Sequence, residues 1–351
     1  MPVFPLSLLA RADEAIASLS PGYFALVMAS GIVSVGLRVA GFATAARVLL
    51  VLAVLAAAVL VVLHVLRALR HGARMRDDAR SPERAFGYFT VVAAANVLAV
   101  GLQAEGADGA ALALLGVGAA LWTVLGYVLP WQVLVTRDGG RVLARTDGSW
   151  FVWSVASQSL AVGLSGVRPA GGVAADLLGA LTVMAWSVGT ILYAGIAVLV
   201  ILRIIHHGIT PEEFRPTYWV SMGALAIAVV AGTRIYEMTP VPMVEAARGL
   251  IGGTVVIFWC FAMWQIPLLL GAGVWRHLVH RVPLRYDPAL WSMVFPLGMI
   301  AVASMTLGAA EHLPVVAEAG RVGLVVAVLA WAAVAAGLVL TLVRGLAPSR
   351  R

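Results

Sequence analysis

Long apolar runs alternate along this chain with short polar breaks, in the pattern of membrane-spanning helices, for which about 20 apolar residues suffice. Ten spans are predicted, at roughly 21–39, 44–69, 86–103, 109–135, 149–165, 172–204, 216–235, 246–272, 288–308 and 319–343. The even-numbered runs are long and uniformly Ala, Leu and Val, whereas the odd-numbered ones also carry Ser, Gly, Asn, Gln and Pro. The ninth run contains a Phe295-Pro296 step about a third of the way in. A proline there removes a backbone donor and clashes with the preceding turn. In lipid the freed carbonyl needs protein or a cavity beside it, so this helix is expected to face inward.

The odd runs repeat. Each opens on an aromatic or Leu-aromatic pair: Tyr23-Phe24, Tyr88-Phe89, Trp150-Phe151, Tyr218-Trp219 and Leu290-Trp291. Successive second members lie 65, 62, 68 and 72 residues apart, one helical hairpin each. Counted from them, the fourth residues are Met28, Ala93, Val155, Gly223 and Phe295, and the seventh are Gly31, Asn96, Gln158, Ala226 and Gly298. The eleventh are Val35, Val100, Val162, Val230 and Val302, valine in all five. Five hairpins in one orientation predict an all-α ring with the smaller, more polar helices inside. The aromatic pairs have a second reading, as membrane-interface belt residues.

Composition and charge agree with a polytopic membrane protein. Of 351 residues 62% are hydrophobic and 12% charged, against about a quarter charged in a soluble protein. All 24 basic residues are arginine. Eighteen flank the N-terminus, the loops after even-numbered spans and the C-terminus; six flank the other side. That excess places both termini in the cytoplasm and accounts for the basic balance without a nucleic-acid partner. The N-terminus shows no pattern of a cleaved signal peptide. With Cys260 the single cysteine, no disulfide within the chain and no thiolate metal cluster is available. No phosphate loop, nucleophile elbow or metal-ligand spacing is present, so neither an enzyme nor a cofactor is expected.

Three stretches resemble the tellurite-resistance/dicarboxylate transporter family: Pro21-Gly-Tyr-Phe24, Tyr218-Trp219, and Arg285-Tyr-Asp-Pro-Ala-Leu-Trp-Ser-Met-Val-Phe-Pro-Leu-Gly298. That family includes plant slow anion channels of guard cells, bacterial tellurite-resistance proteins, fungal sulfite exporters and malate permeases. The resemblance implies ten helices as five hairpins in a quasi-fivefold ring around a central pore, in a homotrimer. It also implies that a phenylalanine of the ninth helix, here Phe295 beside Pro296, occludes the pore. Family pores owe their openness to kinked inner helices, yet only span 9 has an interior proline among the odd spans. Gly31, Gly101, Gly163 and Gly223 are the remaining kink candidates.

Residues seven apart differ by about 20° around a helix, so the fourth and eleventh positions share one face. That face is almost wholly apolar, with Asn96 and Gln158 on its flank, either lining the path or bonding neighbouring helices. Such a surface suits weakly held small anions. Arg234, near the outer end of span 7 on the same face, either draws anions to the outer mouth or pairs with Glu237 one turn on. No carboxylate lies deep in any span, which argues against proton coupling. The reading that follows is a passive small-anion channel or uniporter-like permease in the lipid bilayer of a bacterial inner membrane. A proton-coupled C4-dicarboxylate transporter or sulfite/tellurite exporter, and a non-conducting membrane receptor or assembly subunit, are the alternatives.

Overall fold

A computed structural model describes residues 8–135, 141–169 and 171–346; Arg137, Arg350 and Arg351, three of the arginines used above for orientation, lie outside them. No strand occurs among the described residues, and the protein is an all-α polytopic membrane protein. A short helix, α1 (Leu8–Ala17), precedes a first hairpin of α2 (Ala25–Val39) and α3 (Ala43–Arg80) and a second of α4 (Phe89–Ala104) and α5 (Asp108–Val135). After the single turn α6 (Arg141–Ala144) come α7 (Phe151–Ser165) with α8 (Gly172–His207), α9 (Val220–Tyr236) with α10 (Pro242–Val274), and α11 (Trp291–Ala310) with α12 (Pro314–Leu346). The outer helices run past the apolar limits read from sequence, because arginine-rich ends continue the helix beyond the hydrocarbon.

Counting the turns that lead into them, nine helices among the described residues are long and apolar enough to cross a membrane. The expected span at 149–165 is α7, with 15 residues, about 22 Å of helix. Thirteen of those residues are buried within the protein. A helix that meets no lipid has no need to match the bilayer's thickness. The four other inner helices have apolar windows 61–89% buried, against 17–22% for the outer ones. The division into polar-speckled and uniformly apolar runs is thus a division into protein-facing and lipid-facing helices.

The inner helices touch in a closed cycle: α2 on α4, α4 on α7, α7 on α9, α9 on α11, and α11 back on α2. Each is entered through a 3-10 turn: Pro21–Phe24, Ala85–Tyr88, Gly148–Trp150, Pro216–Trp219 and Pro288–Leu290. These turns touch one another in the same cyclic order. Prolines open three of them, where the missing donor costs nothing. The anchor residues Phe24, Phe89, Phe151, Trp219 and Trp291 are 0–7% exposed. They are core residues of the turn ring, which excludes the belt reading.

Outer helices are stitched to the next hairpin by indole N–H groups. Trp122 of α5 donates to Ser157 Oγ at 2.8 Å, Trp186 of α8 to the Ala228 carbonyl at 3.0 Å, and Trp259 of α10 to Ser304 Oγ at 2.8 Å. Trp331 of α12 closes the circle on Ser30 Oγ of α2 at 2.9 Å. The α3–α4 seam has no such bond; there Leu50 packs so tightly on Gly101 that an added Cβ would stand 2.6 Å from its Cδ1. At the arginine-rich end, Arg67 of α3 is buried, donating to Asp78 at 2.6 Å and to the Ala17 carbonyl at 3.1 Å. Arg276 likewise serves the carbonyls of Glu212 and Phe214. His277 and His280 bond the Val282 and Trp275 carbonyls, and His64 bonds the Leu60 carbonyl of its own helix.

Two predictions test this architecture. Reporters fused after residues 75, 210 and 280 are expected on the cytoplasmic side, and those after 106, 239 and 312 on the opposite side; one reversed signal breaks the alternation. In a double-mutant cycle of Ser30→Ala and Trp331→Phe, the coupling read from thermal unfolding is expected at about 0.6 kcal/mol and below about 2, the range of interhelical hydrogen bonds in membranes. Strictly additive effects would mean that this bond contributes nothing to closure.

Candidate functional site

Numbering each inner helix from its anchor residue as zero brings the site into register. The five register-eleven valines, Val35, Val100, Val162, Val230 and Val302, border one small cavity of about 20 Å³. Register eight supplies Ile32, Val97, Ser159, Ile227 and Met299 to the same cavity. Asn96 and Arg234 complete it. All five helices therefore present the same two positions to one space. The sequence pointed to the valine column; the register-eight column was missed, although residues three apart on a helix share a face.

Register four lies one turn nearer the helix N-termini and is closed. Met28, Ala93, Val155 and Phe295 are 0–2% exposed, and none borders the cavity. Gly223, the fifth member, is pressed against the kink proline: a Cβ there would sit 2.8 Å from Pro296 Cγ. It packs α9 on α11 at the kink and does not leave room for a ring. Gly31 and Gly298 act alike, an added Cβ meeting Val97 at 2.5 Å and Ile32 at 2.9 Å. These glycines are points of close helix approach.

Below the closed layer a second cavity, of about 320 Å³, opens among the 3-10 turns. Its lining includes Ser20, Arg84, Asp147, Arg215 and Asp287, the residues that immediately precede the five turns. Three of them cap their own turn: Gly22 N–H donates to Ser20 Oγ at 3.3 Å, Ser149 N–H to Asp147 Oδ1 at 2.9 Å, and Ala289 N–H to Asp287 Oδ1 at 2.8 Å. Burial pushes the Asp147 carboxyl above the usual range, while the Ser149 hydrogen bonds and Arg215 pull it back. Glu213, outside this vestibule, is held low chiefly by the Thr210 N–H. Sequence reading missed the vestibule, whose residues recur four or five places before each anchor. From Ser292 in the vestibule to Met299 in the upper cavity is seven residues, roughly 10 Å of packed helix.

The polar residues divide. Gln158 turns outward, donating to the Trp186 carbonyl at 3.1 Å and to Thr190 Oγ1 at 3.2 Å on α8. Asn96 touches the cavity and also donates to Ser159 Oγ on α7 at 3.0 Å. Its Oδ1 is buried without a partner. At the outer rim Arg38 is spent on Glu105, which Arg47 also reaches at 2.9 Å. Arg234 instead donates from Nη1 to the Val162 carbonyl at 3.4 Å. Among the described residues it has no carboxylate within ion-pair distance, Glu237 included.

The chain matches the voltage-dependent anion channel family (SLAC1) over residues 18–339. It belongs to that family. Two uncharacterized membrane proteins of Mycobacterium tuberculosis, from strains CDC 1551 / Oshkosh and H37Rv, are each 47% identical to it over 140 residues. The match covers 40% of this chain and 71% of each relative. Membership makes the protein a membrane protein of an anion-transporting family, not of an enzyme family.

Arg234→Gln is expected to lower anion flux through reconstituted protein most at low ionic strength, where the Debye length is roughly 30 Å at 0.01 M against 8 Å at 0.15 M. Glu237→Gln, which breaks no ion pair, is expected to leave folded yield unchanged. Equal flux of Arg234→Gln and wild type at low salt would remove Arg234 from the path.

Proposed function

We propose that the protein is a passive channel or uniporter-like permease for small anions, closed at the layer that holds Phe295. In this reading the ten spans form a ring of five hairpins about one axial path, and the chain sits in the inner membrane with both termini cytoplasmic. The trimer implied by the family belongs to the same reading. The observation that carries it is the convergence of registers eight and eleven from all five inner helices on one apolar cavity, with a closed layer directly beneath. A path lined by valine methyl groups holds a partly dehydrated anion weakly, which allows release as readily as uptake. Arg234 concentrates anions at the rim.

Phe295 is the most voluminous member of the closed layer and adjoins the one proline inside α11. Pro296 removes one backbone hydrogen bond from that turn, so the turn that carries the ring is the one held least firmly by its own helix. A ring that swings there would join vestibule and cavity. No carboxylate borders the upper cavity, which favours passive flux over proton-coupled transport of dicarboxylates.

Phe295→Ala is therefore expected to raise flux per folded protein in liposomes, with Phe295→Leu intermediate. Each 1.4 kcal/mol removed from the barrier is about tenfold in rate. An ordinary core phenylalanine would instead cost about 3–5 kcal/mol of stability on truncation. Aggregated protein with unchanged flux per molecule would sink the gate.

A further inference from the structure

The vestibule among the 3-10 turns is charged unlike the rest of the path. Five ionisable side chains line it: Glu83, Arg84, Asp147, Arg215 and Asp287. Two are spent on neighbours. Arg84 Nε pairs with Asp78 at 2.9 Å, and Glu83 accepts from Arg145 Nε at 3.0 Å. Arg215 has no ion-pair partner among the described residues. Its side chain is exposed, and it offers no cap to the turn it precedes. Asp147 and Asp287 have no arginine within ion-pair distance among the described residues. Each instead accepts hydrogen bonds: Asp147 from Ser149 N–H and Oγ–H and from Thr217 Oγ1–H of the next turn, Asp287 from Ala289 N–H. Such bonds favour the ionised carboxylate, as Arg215 does for Asp147 against the opposing push of burial. One free cation thus stands against two carboxylates in a single confined mouth.

We infer that this mouth is a valence filter: the carboxylates of Asp147 and Asp287, offset only in part by Arg215, disfavour a dianion more than a monoanion. The inference rests on the channel reading and narrows it: the permeating species is a monoanion, and dianions such as sulfate or a fully ionised dicarboxylate are disfavoured at this end. A dianion gains twice from Arg215 but also loses twice to two carboxylates. The balance therefore moves against it with each added charge. In the upper cavity the opposite holds, since among the described residues Arg234 is the only ionisable side chain lining it.

The test is the ratio of sulfate to chloride flux through reconstituted full-length protein. Asp147→Asn and Asp287→Asn keep the carbonyl oxygen that caps each turn and remove the charge. Each is expected to raise the ratio about threefold, and the pair about tenfold, the order given by unit charges several ångströms apart in a hydrated mouth. Arg215→Gln is expected to lower the flux of both anions, and Arg215→Lys to restore it. Asp77→Asn, exposed on α3 outside the vestibule, serves as the control and is expected to leave the ratio unchanged. Wild-type protein that passes sulfate as fast as chloride overturns the filter. So does an unchanged ratio in the folded double variant, or a rise as large in Asp77→Asn. A wild type that conducts neither anion overturns the channel reading itself, and so separates the two failures.

Discussion

Closing a cycle of five helices is the constraint on which this structure depends. In an open bundle each seam can slide on its own; in a cycle the last seam must meet the first in register. The contacts show how this is met. Register seven of one inner helix meets register eight of the next: Gly31 on Val97, Asn96 on Ser159, Gly298 on Ile32. Register four meets register five in the same sense where Gly223 takes Pro296. With four of the five seams offset alike, positions eight and eleven fall at one depth on all five helices and border a single cavity.

Lipid then shapes what surrounds the cycle. Between apolar helices in an apolar solvent there is little hydrophobic gain, so close packing and a few hydrogen bonds decide adhesion. Small residues let the inner backbones approach. The outer helices are chiefly apolar toward lipid and use one tryptophan each on four of five seams. An indole carries its donor at the end of a large apolar plate, so it can reach an inner hydroxyl or carbonyl without bringing an unpaired polar group into the hydrocarbon. The fifth seam dispenses with the bond and uses the leucine-in-glycine fit of Leu50 on Gly101.

Much of this was legible in sequence for one reason: a repeat of hairpins writes each structural position five times. The valine column and the aromatic anchors stood out because five weak signals coincide. The register-eight column, Ile, Val, Ser, Ile and Met, varies in chemistry while its geometry is shared, and so gave no such signal. The vestibule ring was hidden for the same reason, since serine, arginine and aspartate differ in charge yet occupy one place. Pairings across hairpins are a different matter. Nothing local says that Trp331 bonds Ser30, or that Glu105 takes Arg38 and leaves Arg234 free. Gln158 also shows the limit of helix-face reasoning: on the flank of the inward stripe, it turned to α8, donating to the Trp186 carbonyl and Thr190 Oγ1.

The proposed path is asymmetric in a physically consistent way. Its upper part is apolar with one free arginine at the rim; its lower mouth is polar and mixed in charge; about 10 Å of packed side chains separates them. An apolar stretch excludes ions by leaving their hydration unreplaced, so a short apolar layer is a sufficient barrier without any opposing charge. A barrier of that kind acts through dehydration, whose cost grows with the square of the charge, so it too weighs against a dianion. Fixed charges at the mouths act before that step, on what reaches the barrier. In the proposed channel, Phe295 and the side chains that accompany it set how much passes, while the residues before the 3-10 turns and at the rim set what is presented to them. Separating the two tasks along the axis lets the seal remain tightly packed, since none of its members has to hold a charge in the middle of the membrane.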